Sequence, residues 1–206
     1  LCRRRYVRVR PNSGEPAVYA LPLPHRYLKR NPYVTTPPTR QRASDYQAPN
    51  LYFRCYPISK PHPWRLKRGQ DPAWQKFYGK GETSSGYFSG NAGGQIYRAS
   101  LFPQRFHGQY FLGETSQNFI HRAVLRRDGP GYVASRAPGE AESEFFASED
   151  SWFRPVNLKI GPDGAMYITD MYREIIEDYS AIPRFLQQQY EVTNGEDMGR
   201  IWRLLP

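Results

Sequence analysis

Proline is spread so unevenly along this chain that it decides which part can build regular structure. Twelve of the 19 prolines fall within residues 1–80, in clusters such as LPLPH (21–25), TTPPT (35–39) and SKPHPW (59–64). Proline fixes φ and donates no backbone hydrogen bond, so long helices and central strands are poorly supported where it clusters. Residues 1–80 are expected to be irregular and loop-rich, with short edge strands at 6–9 and 51–57.

From Gly81 the character changes. A glycine- and serine-rich stretch, GETSSGYFSGNAGG (81–94), is followed by short runs rich in Val, Ile, Tyr, Phe and Trp. Strands are expected at 95–99, 109–114, 119–126, 131–137, 155–160, 165–170 and 200–204. The turns between them, RRDGPG (126–131) and GPDG (161–164), carry Asp-Gly or Gly-Pro chemistry suited to hairpins. One helix is plausible at 183–190, where proline opens a run of good helix formers.

These strands contain a weak internal repeat. HGQYFLGETSQNFIHRAVL (107–125) reads as strand, loop, strand; DGAMYITDM (163–171) matches its first strand and MGRIWRLL (198–205) its second. In both copies a glycine precedes an aromatic-rich strand that ends in an acid, Glu114 or Asp170. Repeated short antiparallel strands mark a β-propeller, and the repeat favours it over a β-sandwich with a similar number of strands. The expected fold class is all-β: residues 81–206 form the last two blades of a six-bladed propeller, with an insertion at 171–197, and residues 1–80 form its Pro/Arg-rich preceding region. Both chain ends read as cuts, the final blade lacks an outer strand, and the 206 residues are expected not to fold alone.

Charge divides along the same line. Residues 1–80 hold 17 Lys/Arg against 3 Asp/Glu, whereas residues 81–206 hold 12 against 16. The basic residues are scattered among prolines and tyrosines with no helical periodicity, which argues for a solvated irregular segment rather than a nucleic-acid-binding arm. No run approaches the roughly 18 apolar residues of a membrane helix. Cys2 and Cys55 form no CxxC or CxxCH, so the chain carries neither a zinc knuckle nor a covalent haem. The four histidines show no metal-ligand spacing.

Several longer motifs are more specific. SSGYFSGNAGGQIYRASLFP (84–103), NFIHRAVL (118–125), EFFASEDSWFRPVNLKIGPDGAMYITDMYREIIEDYSAIP (144–183) and GEDMGRIWRL (195–204) resemble the membrane-bound dehydrogenase domain of planctomycete and verrucomicrobial proteins. RYLKRNPYVTTPPT (26–39) and YPISKP (56–61) resemble the preceding region of that family. The resemblance implies a propeller similar to glucose/sorbosone dehydrogenases. The implied parent protein is periplasmic or on the cell surface, oxidises a sugar, polyol or alcohol, and passes electrons to a haem c domain elsewhere in the same protein. A quinone cofactor with carboxylates, pyrroloquinoline quinone, would suit Arg154 or Arg173, and the oxygen-rich loops GEDMG (195–199) and ASEDS (147–151) are candidates for Ca2+, although neither has EF-hand spacing. The alternative is a non-catalytic carbohydrate- or protein-binding propeller.

Propeller geometry places 84–94, 115–118, 151–154 and 171–197 on one face, at the mouth of the channel. The charged groups Glu114, Arg154, Asp170, Arg173 and Glu174 converge there, beside the 115–118 loop that carries Asn118. Arg154, Asp170, Arg173 and Glu174 are the candidate catalytic groups, because a carboxylate beside an arginine can accept a proton from a hydroxyl while the guanidinium stabilises an anion. Glu114, Asn118 and Arg154 are the candidate cofactor contacts. Each group also has a plainer role: Arg154 as a brace on backbone carbonyls, Asp170 as a loop cap, Arg173 with Glu174 as an ion pair, His121 as a packed strand residue and Asp163 as a turn former. Tyr167, Tyr172, Trp152 and Trp202 are expected in packing.

Overall fold

The computed structural model describes residues 54–72, 85–128, 131–176 and 189–206, with positions 182 and 187 and three short upstream strands. Those strands, β1 (Arg8–Pro11), β2 (Val18–Leu21) and β3 (Gln41–Arg42), pair antiparallel in that order. The expected strand at 51–57 reduces to a single bridge, Arg54 to Tyr87, with 51–53 outside the described residues. Most of the expected helix at 183–190 also lies outside them.

The proline clusters argue against a helix before residue 81, yet α1 (Pro63–Gln70) forms there. Proline stands at its first position, where no backbone N–H is needed. The His62 side chain caps the helix, its Nδ1 accepting from the Trp64 N–H at 3.3 Å. Trp64, on the buried side of α1, joins Ile175 and Ile182 in a small apolar cluster, with Tyr190 and Val192 packed against it. The helix therefore docks on the segment that follows Asp170.

The body is two antiparallel meanders. The first contains β4 (Asn91–Ile96), β5 (Tyr110–Glu114), β6 (Phe119–Asp128) and β7 (Gly131–Arg136), with the two-residue β8 (Phe146–Ala147) also on β6. The second contains β9 (Pro155–Ile160), β10 (Met166–Asp170) and β11 (Arg200–Leu204). The described chain is thus mainly antiparallel β-structure, and no sheet among the described residues closes on itself.

Alternation along the strands builds two apolar layers. Tyr110, Leu112, Phe119 and Ala123 point to one side of the first meander and pack with Phe88 and Cys55. Phe111 and Ile120 point to the other side and meet Leu158, Met166 and Ile168 of the second meander. The first sheet is covered on both faces, which is why all of β5 is buried. The second sheet buries one face only. Trp202 lies on β11 with 45 % of its surface exposed, so it is a half-covered edge residue rather than the packing residue expected from the sequence.

β4 starts earlier than the aromatic pattern suggests, inside the glycine-rich stretch. Its register shifts between Ala92 and Gln95, and Gly93 there adopts φ +59°. A Cβ on Gly93 would lie 2.3 Å from the Asn157 Cα, and one on Gly113 would lie 2.2 Å from the Pro155 carbonyl oxygen. The sheets thus touch backbone to backbone at these glycines. Gly113→Ala is expected to destabilise the fold by about 2 kcal/mol or more, since a buried β-carbon against main chain can be relieved only by parting the sheets; urea unfolding measures it.

Candidate functional site

Each meander closes one end with a buried carboxylate. Glu114 ends β5; its carboxylate accepts the N–H of Ser89 at 3.1 Å, of Gly90 at 2.7 and 2.9 Å, and of Ser116 at 3.2 Å. Asp170 ends β10; its Oδ1 accepts the N–H of Arg154 at 2.8 Å and of Tyr172 at 2.9 Å. In both, the acid takes the N–H two residues ahead and the N–H of the residue just before the first strand. The repeat seen in the sequence is therefore a repeat of hydrogen bonding. Asp170 also accepts from Arg200 Nε at 2.9 Å and Trp202 Nε1 at 3.0 Å through Oδ2.

Arg154 ties three loops together. Its Nε donates to the Arg173 carbonyl at 2.8 Å, Nη1 to the carbonyls of Thr115 at 3.0 Å and Ser116 at 3.4 Å, and Nη2 to that of Glu174. Burial, reinforced by the nearby charge of Arg65, lowers its guanidinium to about 10, so it stays charged at neutral pH. Asn118, at φ 64°, does similar work: Nδ2 donates to the carbonyls of Ser151 and Phe153, while Oδ1 accepts from Ser59. Arg173 donates to the Thr193 carbonyl at 2.7 Å instead of pairing with Glu174.

Glu174 is partly open to solvent. Its Oε1 accepts from His62 Nε2 at 3.1 Å and its Oε2 from Asn194 Nδ2 at 2.7 Å. Because His62 Nδ1 accepts from the helix, its proton sits on Nε2 and faces Glu174. Burial pushes the Glu174 carboxyl up, but the hydrogen bonds from Asn194 and His62 and the charge of Arg154 outweigh it, so it titrates below the ordinary range.

Six residues singled out from sequence thus occupy one face. Arg154 contacts the backbone beside Glu114 and at Arg173 and Glu174, and bonds Asp170 through its own backbone. Sequence reasoning missed the contribution of α1 and the residues just before it: Lys60, His62, Trp64 and Arg65 join Ser116, Asn118, Ser151, Arg154 and Ile176 around a cavity of about 10 Å3, room for one water-sized group. The signal was present in SKPHPW, a histidine placed to cap a helix that opens with proline, but the density of prolines obscured it.

His121 is a packed strand residue, its Nδ1 2.7 Å from Glu144, whose other oxygen accepts from Arg136 at 2.8 Å. Asp163 holds its turn, accepting from the Ala165 N–H and the Tyr167 hydroxyl. A separate open cleft of about 480 Å3 lies beside Arg54, Tyr56, Ser85 and Glu142.

The sequence profile of a domain family of unknown function, DUF7133, matches residues 3–206. The chain belongs to that family. No curated protein and no solved structure matches it. The DUF7133 match names no activity, so the dehydrogenase resemblance supplies a proposal and not an identity. Among the described residues of this DUF7133 chain, no group of three or more His, Cys, Asp or Glu is placed to hold a metal ion. The cavity of about 10 Å3 does not enclose a tricyclic quinone.

Two outcomes follow from the buried charges. Burial raises the Glu114 carboxyl from 4.5 to about 7, beyond what its backbone donors and Arg65 offset. Between those values the folded chain holds a proton that the unfolded chain has released, so this group's contribution is fully present below 4.5 and is lost as pH rises through about 7. The loss is on the order of 3 kcal/mol, and the Glu114→Gln variant should lack it when urea unfolding is compared across this range. Arg154→Lys, whose compact ammonium cannot span three loops, should cost about 2–4 kcal/mol in the same assay.

Proposed function

We propose that the chain forms consecutive blades of a β-propeller whose braced loop face receives a sugar, polyol or alcohol, in a periplasmic or surface protein that oxidises it. The observation that carries this reading is the convergence through Arg154 of three loops: the one before β9, the one after β5 and the one after β10. Four-stranded and three-stranded meanders stacked face to face, with turns of one parity gathered at one end, support the bladed arrangement. Loops held on such a scaffold are the usual seat of binding residues.

Within this reading Arg154, Asp170, Glu114 and Asn118 are positioning residues, because main-chain groups and neighbouring side chains engage their polar atoms. Glu174 is the base: it is kept ionised, is reachable from solvent, and is oriented by Asn194 and His62. Its carboxylate takes the proton of a substrate hydroxyl. Arg173, anchored to the Thr193 carbonyl, lies beside it. Transfer of the electrons to a haem c domain belongs to other parts of the proposed parent protein, and no step is assigned to a quinone or to calcium.

One observation favours the second reading, a carbohydrate- or protein-binding propeller without catalysis: Arg154 and Asp170 are consumed by loop bracing. Dye reduction by the full-length parent protein separates the two. Turnover with sugars or alcohols that falls at least about 100-fold in Glu174→Gln, with substrate binding retained, supports the dehydrogenase. Saturable sugar binding without any dye reduction establishes the binding module in its place.

A further inference from the structure

The segment from Arg54 to Lys60 lines two openings. Its last residue faces the small cavity, and Arg54–Ile58 line the open cleft of about 480 Å3. That volume falls within the range of small-molecule sites, roughly 300–1,000 Å3. Two stretches of chain frame the cleft: Arg54–Ile58 with Ser85 and Gly86, and Glu142–Glu144 with Ala147. Long-range bonds pin both. The Cys55 N–H donates to the Gly86 carbonyl at 2.9 Å, and the Tyr56 N–H to Glu144 Oε1 at 3.0 Å. Arg136 donates to the carbonyls of Arg54 and Ser143 and to Glu144 Oε1. Glu144 Oε2 lies 2.7 Å from His121, so this buried carboxylate is engaged by the protein itself. The frame is thus formed before any ligand arrives.

Two opposite charges remain in the cleft. The Arg54 guanidinium lies 5.7 Å from the centre of the Tyr56 ring and 5.5 Å from that of Tyr87. Two aromatic contacts restrict where the guanidinium sits, and among the described residues no carboxylate pairs with it. The exposed Glu142 carboxylate and Ser143 hydroxyl make no hydrogen bond or ion pair among the described residues. The other side chains of the lining are largely apolar, and Ile58 among them leaves 57 % of its surface uncovered.

We propose that this cleft binds a free α-amino acid with an apolar side chain: Arg54 takes its carboxylate, Glu142 its ammonium, and Pro57 and Ile58 its side chain. A guanidinium steadied by two rings presents a planar fork, which suits the two oxygens of a carboxylate. The Glu142 carboxylate and the Ser143 hydroxyl both accept from an ammonium. Covering Ile58 removes apolar surface from water. A ligand carrying one charge leaves the opposite charge of the cleft unpaired, so the arrangement favours the zwitterion over its singly charged derivatives. The assignment does not depend on the sugar-oxidising reading, because the cleft shares no lining residue with the small cavity at the loop face.

Titration calorimetry on the full-length parent protein at neutral pH tests this, with leucine, N-acetylleucine, leucinamide and N-acetylleucinamide as probes. Leucine is expected to bind saturably, and each derivative at least about tenfold more weakly. Arg54→Gln should weaken leucine about tenfold and leave leucinamide unchanged, since leucinamide has no carboxylate to lose. Glu142→Gln should weaken leucine by a similar factor and leave N-acetylleucine unchanged. Both side chains are exposed, so neither change disturbs the core. Lys60→Met, at the small cavity, should leave leucine binding as it was. N-acetylleucine binding as tightly as leucine would reduce the cleft to a carboxylate site and overturn the amino-acid assignment. N-acetylleucinamide binding as tightly as leucine would overturn it in favour of an extended peptide. Absence of leucine binding, or leucine binding that survives both Arg54→Gln and Glu142→Gln, overturns the site altogether.

Discussion

A carboxylate buried at the end of the second strand of each meander organises the loop face. Glu114 and Asp170 each collect the N–H groups that a strand end and a returning loop would otherwise leave unpaired in the interior. Unpaired buried amides are costly, so each acid fixes where its loop turns back. Arg154 then joins the two solutions, because its own N–H belongs to the Asp170 set while its guanidinium holds the carbonyl of Ser116, whose N–H belongs to the Glu114 set. Lysine would be a poor substitute, since only a planar fork presents donors in several fixed directions.

The two carboxylates differ in electrical setting. Asp170 accepts from Arg200 and Trp202 as well as from backbone, while Glu114 is wholly buried and reaches Arg65 only through space. Burial therefore dominates at Glu114 and lifts it toward neutrality. Arg154 in the same region faces Asp150, Asp170 and Glu114, and Arg65 faces Glu114. The small cavity forms where Lys60 and His62, just before α1, and Arg65 on it pack onto loops already crowded by Arg154. The helix is held there by the cluster of Trp64 with Ile175 and Ile182, and by the His62–Glu174 hydrogen bond.

Much of the strand architecture was legible because period-two alternation and turn chemistry agree. β9 and β11 fall where their apolar runs predict, and β5, β6, β7 and β10 differ from expectation only at their ends. The expectation failed where a local rule was overridden. Gly93 and its neighbours read as a loop, yet they form the start of β4, because only glycine allows the first sheet to approach Asn157 so closely. Proline at 61 and 63 suggested irregular chain, yet Pro63 occupies the one helical turn where its missing N–H carries no penalty. Trp202 was expected in packing because aromatic strands are normally covered, but its strand lies at the sheet edge.

The sequence by itself determined the all-β character and the pairing of Glu114 with Asp170 as equivalent strand-ending acids, because those features depend on local periodicity and on short-range repetition. Only the tertiary structure decided what each does. The four carbonyls that occupy Arg154, the donors that fill Asp170, and the encounter of Lys60, His62 and Arg65 with Ser116 and Ser151 all join segments distant along the chain. Long-range partners of this kind leave no periodic trace, since a side chain engaged by a remote backbone carbonyl and one presented to a ligand have the same letter in the sequence.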